Sequence, residues 1–166
     1  MKEIFIRRSI RKFTGEPVDE SLVMECIKAG MNAPSAGNQM PWEFIIIDRR
    51  DLLDSIMKIH PHSAMLDKAT VAVLVCGDLS KETRKGYWVQ DCAACTQNML
   101  LAVTSFGLAS VWLGVYPRED RVEGLKKLFS LPEHIVPFSL IPIGRAGEEK
   151  APNNKFFPER IHRNGW

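Results

Sequence analysis

Between residues 92 and 117 the chain carries no charged side chain. A run of this length must be withdrawn from water, and it is long enough to cross a bilayer. It is not uniformly apolar, however. Thr96, Gln97, Asn98, Thr104, Ser105 and Ser110 interrupt it, and Ser105-Phe106-Gly107 breaks its periodicity. The pattern predicts a long buried helix over 87–106, followed by a buried strand over 108–115. The other elements are expected around this pair. Asp19 is a good N-cap for a helix reaching residue 31, with Leu22, Val23, Cys26, Ile27 and Met31 on its apolar side. Helices are expected over 51–59 and 120–129, and a helical turn over 3–8. Strands are expected over 43–48, 70–76 and 135–143. The first of these is apolar on both faces, which predicts a central position. Residues 33–41, rich in Pro, Ser, Gly and Asn, read as a loop. Strands and helices alternate loosely, as in an α/β or α+β sheet with helices on its faces.

A chain of 166 residues, 45% apolar and 25% charged, has the composition of an ordinary globular protein, and that length fits one domain, 1–166. The net charge of +2 is too small to imply nucleic-acid binding. The charge is uneven, though. Lys2, Arg7, Arg8, Arg11 and Lys12 crowd the beginning, and Arg145, Lys150, Lys155, Arg160 and Arg163 the end. If the two ends meet, they surround an anion; otherwise they are two solvated basic faces. Residues 1–11 lack the apolar core of a signal peptide, so a reducing cytoplasmic setting with free thiols is expected for Cys26, Cys76, Cys92 and Cys95. Cys92-Ala-Ala-Cys95 has the spacing of a redox pair but falls inside the long helix, away from the helix N-terminus that stabilises a thiolate. No metal site is expected, since His60-Pro-His62 has no obvious partners. The tail from 146 to 166 is polar with little periodicity. It carries Phe156, Phe157, Ile161 and Trp166, and so is expected to wrap another surface, such as that of a second subunit.

The chain has no G-x-S-x-G, P-loop, H-E-x-x-H or G-x-G-x-x-G motif. A nicotinamide cofactor is therefore not expected in a Rossmann site. Three segments stand out instead. Arg7-Arg8-Ser9-Ile10-Arg11 offers three guanidinium forks and a hydroxyl, which suits phosphate, although a solvated basic turn or a nucleic-acid contact has the same composition. Residues 33–42, APSAGNQMPW, allow close backbone approach to a flat ligand, and Asn38 can donate to and accept from a heterocycle edge. The same residues also suit a plain connecting loop. Ser110-Val111-Trp112-Leu113-Gly114 ends in a glycine that permits close contact, with Trp112 more often a core residue than a ligand platform. Ile143-Gly144-Arg145 places a glycine and a guanidinium after a buried strand, where ligands of α/β sheets often sit.

In order and spacing these segments resemble the nitroreductase family over essentially the whole chain. RRSIRKF is similar to that family's signature for the flavin phosphate and ribityl chain. APSAGNQMPWEF is similar to its second signature. VQDCAACTQNMLLAVTSFGLASVWLGV resembles its core helix, strand and flavin-contacting turn, and IGRAGE with NKFFPERIHRNGW resembles its last strand and tail. Met40 departs from the Gln common before the Pro-Trp pair, and the helical insertions of larger members are absent.

The resemblance implies an α+β fold (an α/β sandwich), with a central, mostly antiparallel sheet flanked by helices, and an interwoven homodimer holding FMN at the subunit interface. By analogy Arg7, Arg8, Ser9 and Arg11 hold FMN from one subunit, and Pro34, Ser35, Ala36 and Asn38 approach it from the other. Leu113 and Gly114 offer backbone contacts near the reactive edge of the ring. Gly144 and Arg145, with Lys155, close the phosphate end. No side chain is implied as a nucleophile, and no catalytic residue is assigned. The implied activity is a ping-pong transfer of two electrons from NADH or NADPH to a nitroaromatic, a quinone or a similar small acceptor, with no nucleic-acid or membrane partner. The alternatives are a non-catalytic FMN-binding or sensory protein and a specialised branch of the superfamily, such as flavin fragmentation or reductive dehalogenation.

Overall fold

Residues 71–76 alternate between two apolar environments, and this places them at the heart of the sheet. The computed structural model of the chain describes residues 2–153 and 155–166. In it, strand β2 (Val71–Asp78) is buried along its whole length. Val71, Val73 and Val75 face one core, and Ala72, Leu74 and Cys76 face the other. The sheet runs β1 (Trp42–Ile47), β2, β5 (Ile135–Gly144) and β3 (Ala109–Ser110), with β4 (Leu113–Gly114) also pairing with β5. All four pairings are antiparallel. The fold is thus α+β, an antiparallel sheet between two helical layers.

The first core is closed by α2 (Glu20–Met31) and α4 (Trp88–Ser105), the second by α3 (Arg50–Ile59) and α5 (Glu119–Phe129). The short α1 (Lys2–Ile6) packs on α4. Asp19 caps α2, accepting from Ser21 N at 2.8 Å. Helix α2 buries Val23, Cys26, Ile27 and Gly30 at helical spacing. Gly30 makes the contact with α4 possible, because a Cβ there would stand 2.7 Å from Met99 Cγ. Along α4 only Gln90, Gln97 and Ser105 are exposed, so the uncharged run does form a helix buried on most sides, followed by buried strand residues. Among the described residues no helix is long and apolar enough to cross a membrane.

Three expectations need correction. Strand β1 is at the edge of the sheet, not at its centre. Trp42 and Phe44 pack on the first core and Ile45 and Ile47 on the second, which explains the apolar character of both faces, but packing on both faces does not determine how many lateral neighbours a strand has. Met31 is exposed and Gly30 takes its place at the contact. The strand expected over 108–115 is two short strands in one register, Ser110 opposite Ile143 and Leu113 opposite Leu140. Opposite the gap stands Pro142, which has no N–H to donate to the ladder. A bulge between Val75 and Cys76 shifts the register of β5 close to Pro137. As a result Phe138 joins the first core, whereas Leu140 joins the second.

Candidate functional site

The basic arm that follows α1 is threaded along the β3 edge of the sheet. Ser9 bridges Ser110 in parallel, and Phe13 bridges Ala146 in antiparallel fashion. Ile10 N donates to Ser110 O at 3.0 Å, Thr14 N to Arg145 O at 3.1 Å, and Gly147 N to Lys12 O at 2.7 Å. Glu148 accepts from Arg11 N at 2.7 Å, a bond that holds its carboxyl below the usual range. Lys150 Nζ donates to Ser9 O at 2.8 Å. Ile10 and Phe13 are the buried pegs of the arm. Phe13 fills the space over Gly144, where a Cβ would lie 2.8 Å from its Cδ1. Three separate sequence segments therefore meet at one sheet edge, and both basic ends of the chain contribute to it.

At the start of the arm lies a cavity of about 510 Å³ lined by Arg7, Arg8, Lys155, Asn153, Phe5 and their neighbours, with no carboxylate among its described lining residues. Arg8 donates from Nε to Ala151 O at 2.7 Å and from Nη1 to Phe5 O at 3.2 Å and Arg7 O at 2.5 Å. Its Nη2 is buried without a hydrogen-bond partner among the described residues. Three cations and an unsatisfied buried donor are chemistry that suits an anion. Arg145 does not line this cavity; its Nε lies 3.9 Å from Glu16 Oε2.

Further along the arm Arg11 lines a second cavity, of about 420 Å³, together with Trp112, Leu113, Gly114, His60, His62 and Arg121. A Cβ built on Gly114 meets nothing within 4 Å, so its backbone is open to a ligand. Its carbonyl accepts from Arg121 Nη1 at 2.7 Å and from His60 Nε2 at 3.0 Å. His60 Nδ1 in turn accepts from His62 N at 3.2 Å, which sets the tautomer with the proton on Nε2. Burial, with Arg121 nearby, pushes the pKa of His60 below its ordinary value, so the imidazole is neutral. Arg121 Nε is a second buried donor without a partner among the described residues.

The loop 33–41 lies at the other edge of the sheet, where Pro41 O accepts from Asp78 N at 2.7 Å beside the start of β1. Asp91, buried on α4, fixes this loop by accepting from Ala36 N at 2.9 Å and Gln39 Nε2 at 2.6 Å. Gln39 Oε1 accepts from Thr83 N at 3.0 Å and Arg84 N at 2.9 Å. Asn38 and Met40 are held at positive φ, 56° and 43°. Pro34 and Asn38 are exposed, and Ser35 and Ala36 are half-buried. Three strand spacings separate this loop from the β3 edge, about 15 Å. One copy of the chain therefore does not bring Pro34, Ser35, Ala36 and Asn38 to the arm.

All four cysteines are free and buried. Burial raises the thiol of Cys26 to about 11 and those of Cys76 and Cys95 to about 12, and raises Cys92 as well. Cys92 and Cys95 are thus protonated core residues at neutral pH, and the redox-pair reading fails.

Two overlapping matches to the model of the nitroreductase family, over residues 4–73 and 58–145, take in the arm, the loop 33–41 and all five strands. The chain belongs to the nitroreductase family. A relative from Methanothermobacter thermautotrophicus, named as an NADH dehydrogenase/NAD(P)H nitroreductase, is 48% identical over all of this chain and 87% of its own length. The crystal structure of a similarly named protein from Parabacteroides distasonis superposes with a TM-score of 0.95 at 42% identity, covering 99% of this chain and 97% of that one. A nitroreductase from Desulfovibrio desulfuricans, solved in complex with FMN, superposes with a TM-score of 0.85 at 27% identity, covering 99% and 96%. Within this family member, Arg7, Arg8 and Lys155 share one cavity, and Arg11, Leu113 and Gly114 the next. Ser9 lies on the arm between them. Gly144 serves the packing of Phe13. Met40 points outward, and the neighbouring Gln39 supplies the buried amide. Sequence reasoning missed Asp91, Gln39, His60 and Arg121 as site-shaping residues. Asp91 had a visible signal, since it is the one charge in α4.

Proposed function

We propose that this enzyme is an FMN-dependent oxidoreductase that passes two electrons from NADH or NADPH to a small acceptor, a nitroaromatic, a quinone or a compound like them. The observation that carries the reading is the basic cavity of Arg7, Arg8 and Lys155 at the start of the arm, together with a second cavity further along it, lined by Arg11 and by Gly114, beside which a Cβ would meet nothing. A phosphate suits the first cavity, where Arg8 Nη2 still needs an acceptor. A flat ring suits the second, beside Leu113 and Gly114. When bound, FMN supplies the two-electron chemistry that no side chain of this site offers. Arg7, Arg8, Ser9 and Lys155 bind and orient it. Arg11 favours extra negative charge beside the ring. The FMN-bound structure of the D. desulfuricans relative supports the same cofactor for this chain.

The residues Pro34, Ser35, Ala36 and Asn38 complete the site from a second copy of the chain. Their distance from the arm within one copy supports this, as does the exposure of Phe156, Phe157, Ile161 and Trp166 on the tail. With one cavity serving donor and acceptor in turn, the mechanism is ping-pong. Four unpaired cysteines suit a reducing cytoplasm. Steady-state oxidation of NADH or NADPH, measured at several quinone concentrations, tests the mechanism. Parallel double-reciprocal lines are expected; intersecting lines would rule out alternation at one site.

A further inference from the structure

We propose that Arg121, held in register with His60, is a positioning and charge-tuning residue that makes the second cavity favour the reduced, more negative form of FMN. The proposal rests on the assignment of FMN to this site. Arg121 stands on the first turn of α5, yet its guanidinium turns toward the sheet. Its Nη1 donates to Gly114 O at 2.7 Å and lies 3.4 Å from His60 Nε2. These partners are a carbonyl and a neutral imidazole, so its positive charge is not cancelled by the groups it touches. The neighbouring acids Glu119 and Asp120 are exposed, and Asp120 lies near Arg118, at 3.4 Å. The described lining of the cavity holds Arg11 and Arg121 and no carboxylate.

Two consequences follow from this placement. With two donors on one carbonyl, the peptide after Gly114 cannot rotate, and the open face of Gly114 is presented in one orientation. His60, whose Nδ1 accepts from His62 N and whose Nε2 donates to Gly114 O, contributes through this carbonyl without a charge of its own. Arg121 also acts through space. A ring seated beside Gly114 lies in a cavity lined by two guanidinium groups, and in a site partly shielded from water their charge is weakly screened. Added electrons are stabilised there more than the oxidised ring is. The Nε of Arg121 is a further donor for which the described residues supply no acceptor.

The test is the midpoint potential of FMN bound to the full chain, together with the dissociation constant of oxidised FMN, in the wild type, Arg121→Gln and Arg121→Lys. Arg121→Gln is expected to lower the affinity for reduced FMN about tenfold relative to oxidised FMN, a fall in potential of about 30 mV for a two-electron couple. Arg121→Lys, which retains the charge, is expected to keep most of the wild-type potential. If Arg121→Gln does not fold, Arg121→Met, which keeps the apolar stem, is read in its place. A variant that binds FMN at the wild-type potential overturns this role alone. A wild type that takes up no FMN overturns the functional reading as well. A merely structural role would lower stability in Arg121→Lys and Arg121→Gln alike without separating their potentials.

Discussion

Gly114 and Gly144 flank the same arm, but they lack a side chain for different reasons. At Gly144 the space belongs to Phe13, and a methyl group would lie 2.8 Å from its ring. At Gly114 the space is empty. Gly144→Ala is therefore expected to destabilise the fold by about 1–3 kcal/mol through overpacking. Gly114→Ala is expected to leave the melting temperature almost unchanged and to weaken FMN binding. Thermal unfolding and FMN titration of both variants check this; equal stability losses would refute the assignment of Gly114 to the ligand. His60 makes a prediction at the same scale. Its folded pKa lies below the ordinary 6.5, so the unfolded chain takes up the proton first as pH falls. Its contribution to stability is present above pH 6.5 and is lost as pH falls below that value toward its folded pKa. Denaturant titrations between pH 7 and pH 5 should show a decline that is smaller in His60→Gln.

At the scale of elements, the long helix α4 both fills the core and fixes the candidate binding loop, the second task falling to Asp91. Asp91→Asn cannot keep both bonds. Its amide would face the NH2 group of Gln39, which cannot turn because Thr83 N and Arg84 N hold its oxygen. A loss of about 1.5–3 kcal/mol is expected, the worth of a hydrogen bond to a charged group, with faster amide exchange over residues 35–40. Unchanged exchange there would show that the loop is held by its own turns. The helices and buried strands were legible because their apolar spacing is strong, and the arm, loop and turn could be recognised as motifs. The edge position of β1 was not legible, since alternation reports covered faces and not lateral neighbours. The break at residues 111–112 was hidden because its cause, Pro142, lies on another strand. The clamp of His60 and Arg121 on Gly114 was hidden for a similar reason: its parts are distant in sequence and meet only through a backbone carbonyl.

For the whole molecule, the two basic ends join at one sheet edge while the loop 33–41 remains at the other. This arrangement supports a site completed by a second copy. Trp166 is fully exposed in the single chain, and Phe156 and Ile161 are more than half exposed. Such apolar groups on a polar tail are expected to find cover in a dimer. Removing the tail from Asn153 onward should shift the protein from dimer to monomer in sedimentation equilibrium, and a truncated protein that stays dimeric and equally stable would show the tail to be dispensable. Flavin-dependent oxidoreductase chemistry is read from the visible absorption spectrum of the purified protein, recorded anaerobically before and after addition of NADH and then NADPH. A flavin spectrum that bleaches with at least one of the two donors is expected. A colourless protein that cannot be reconstituted with FMN, or a flavin spectrum that neither donor bleaches, would contradict it.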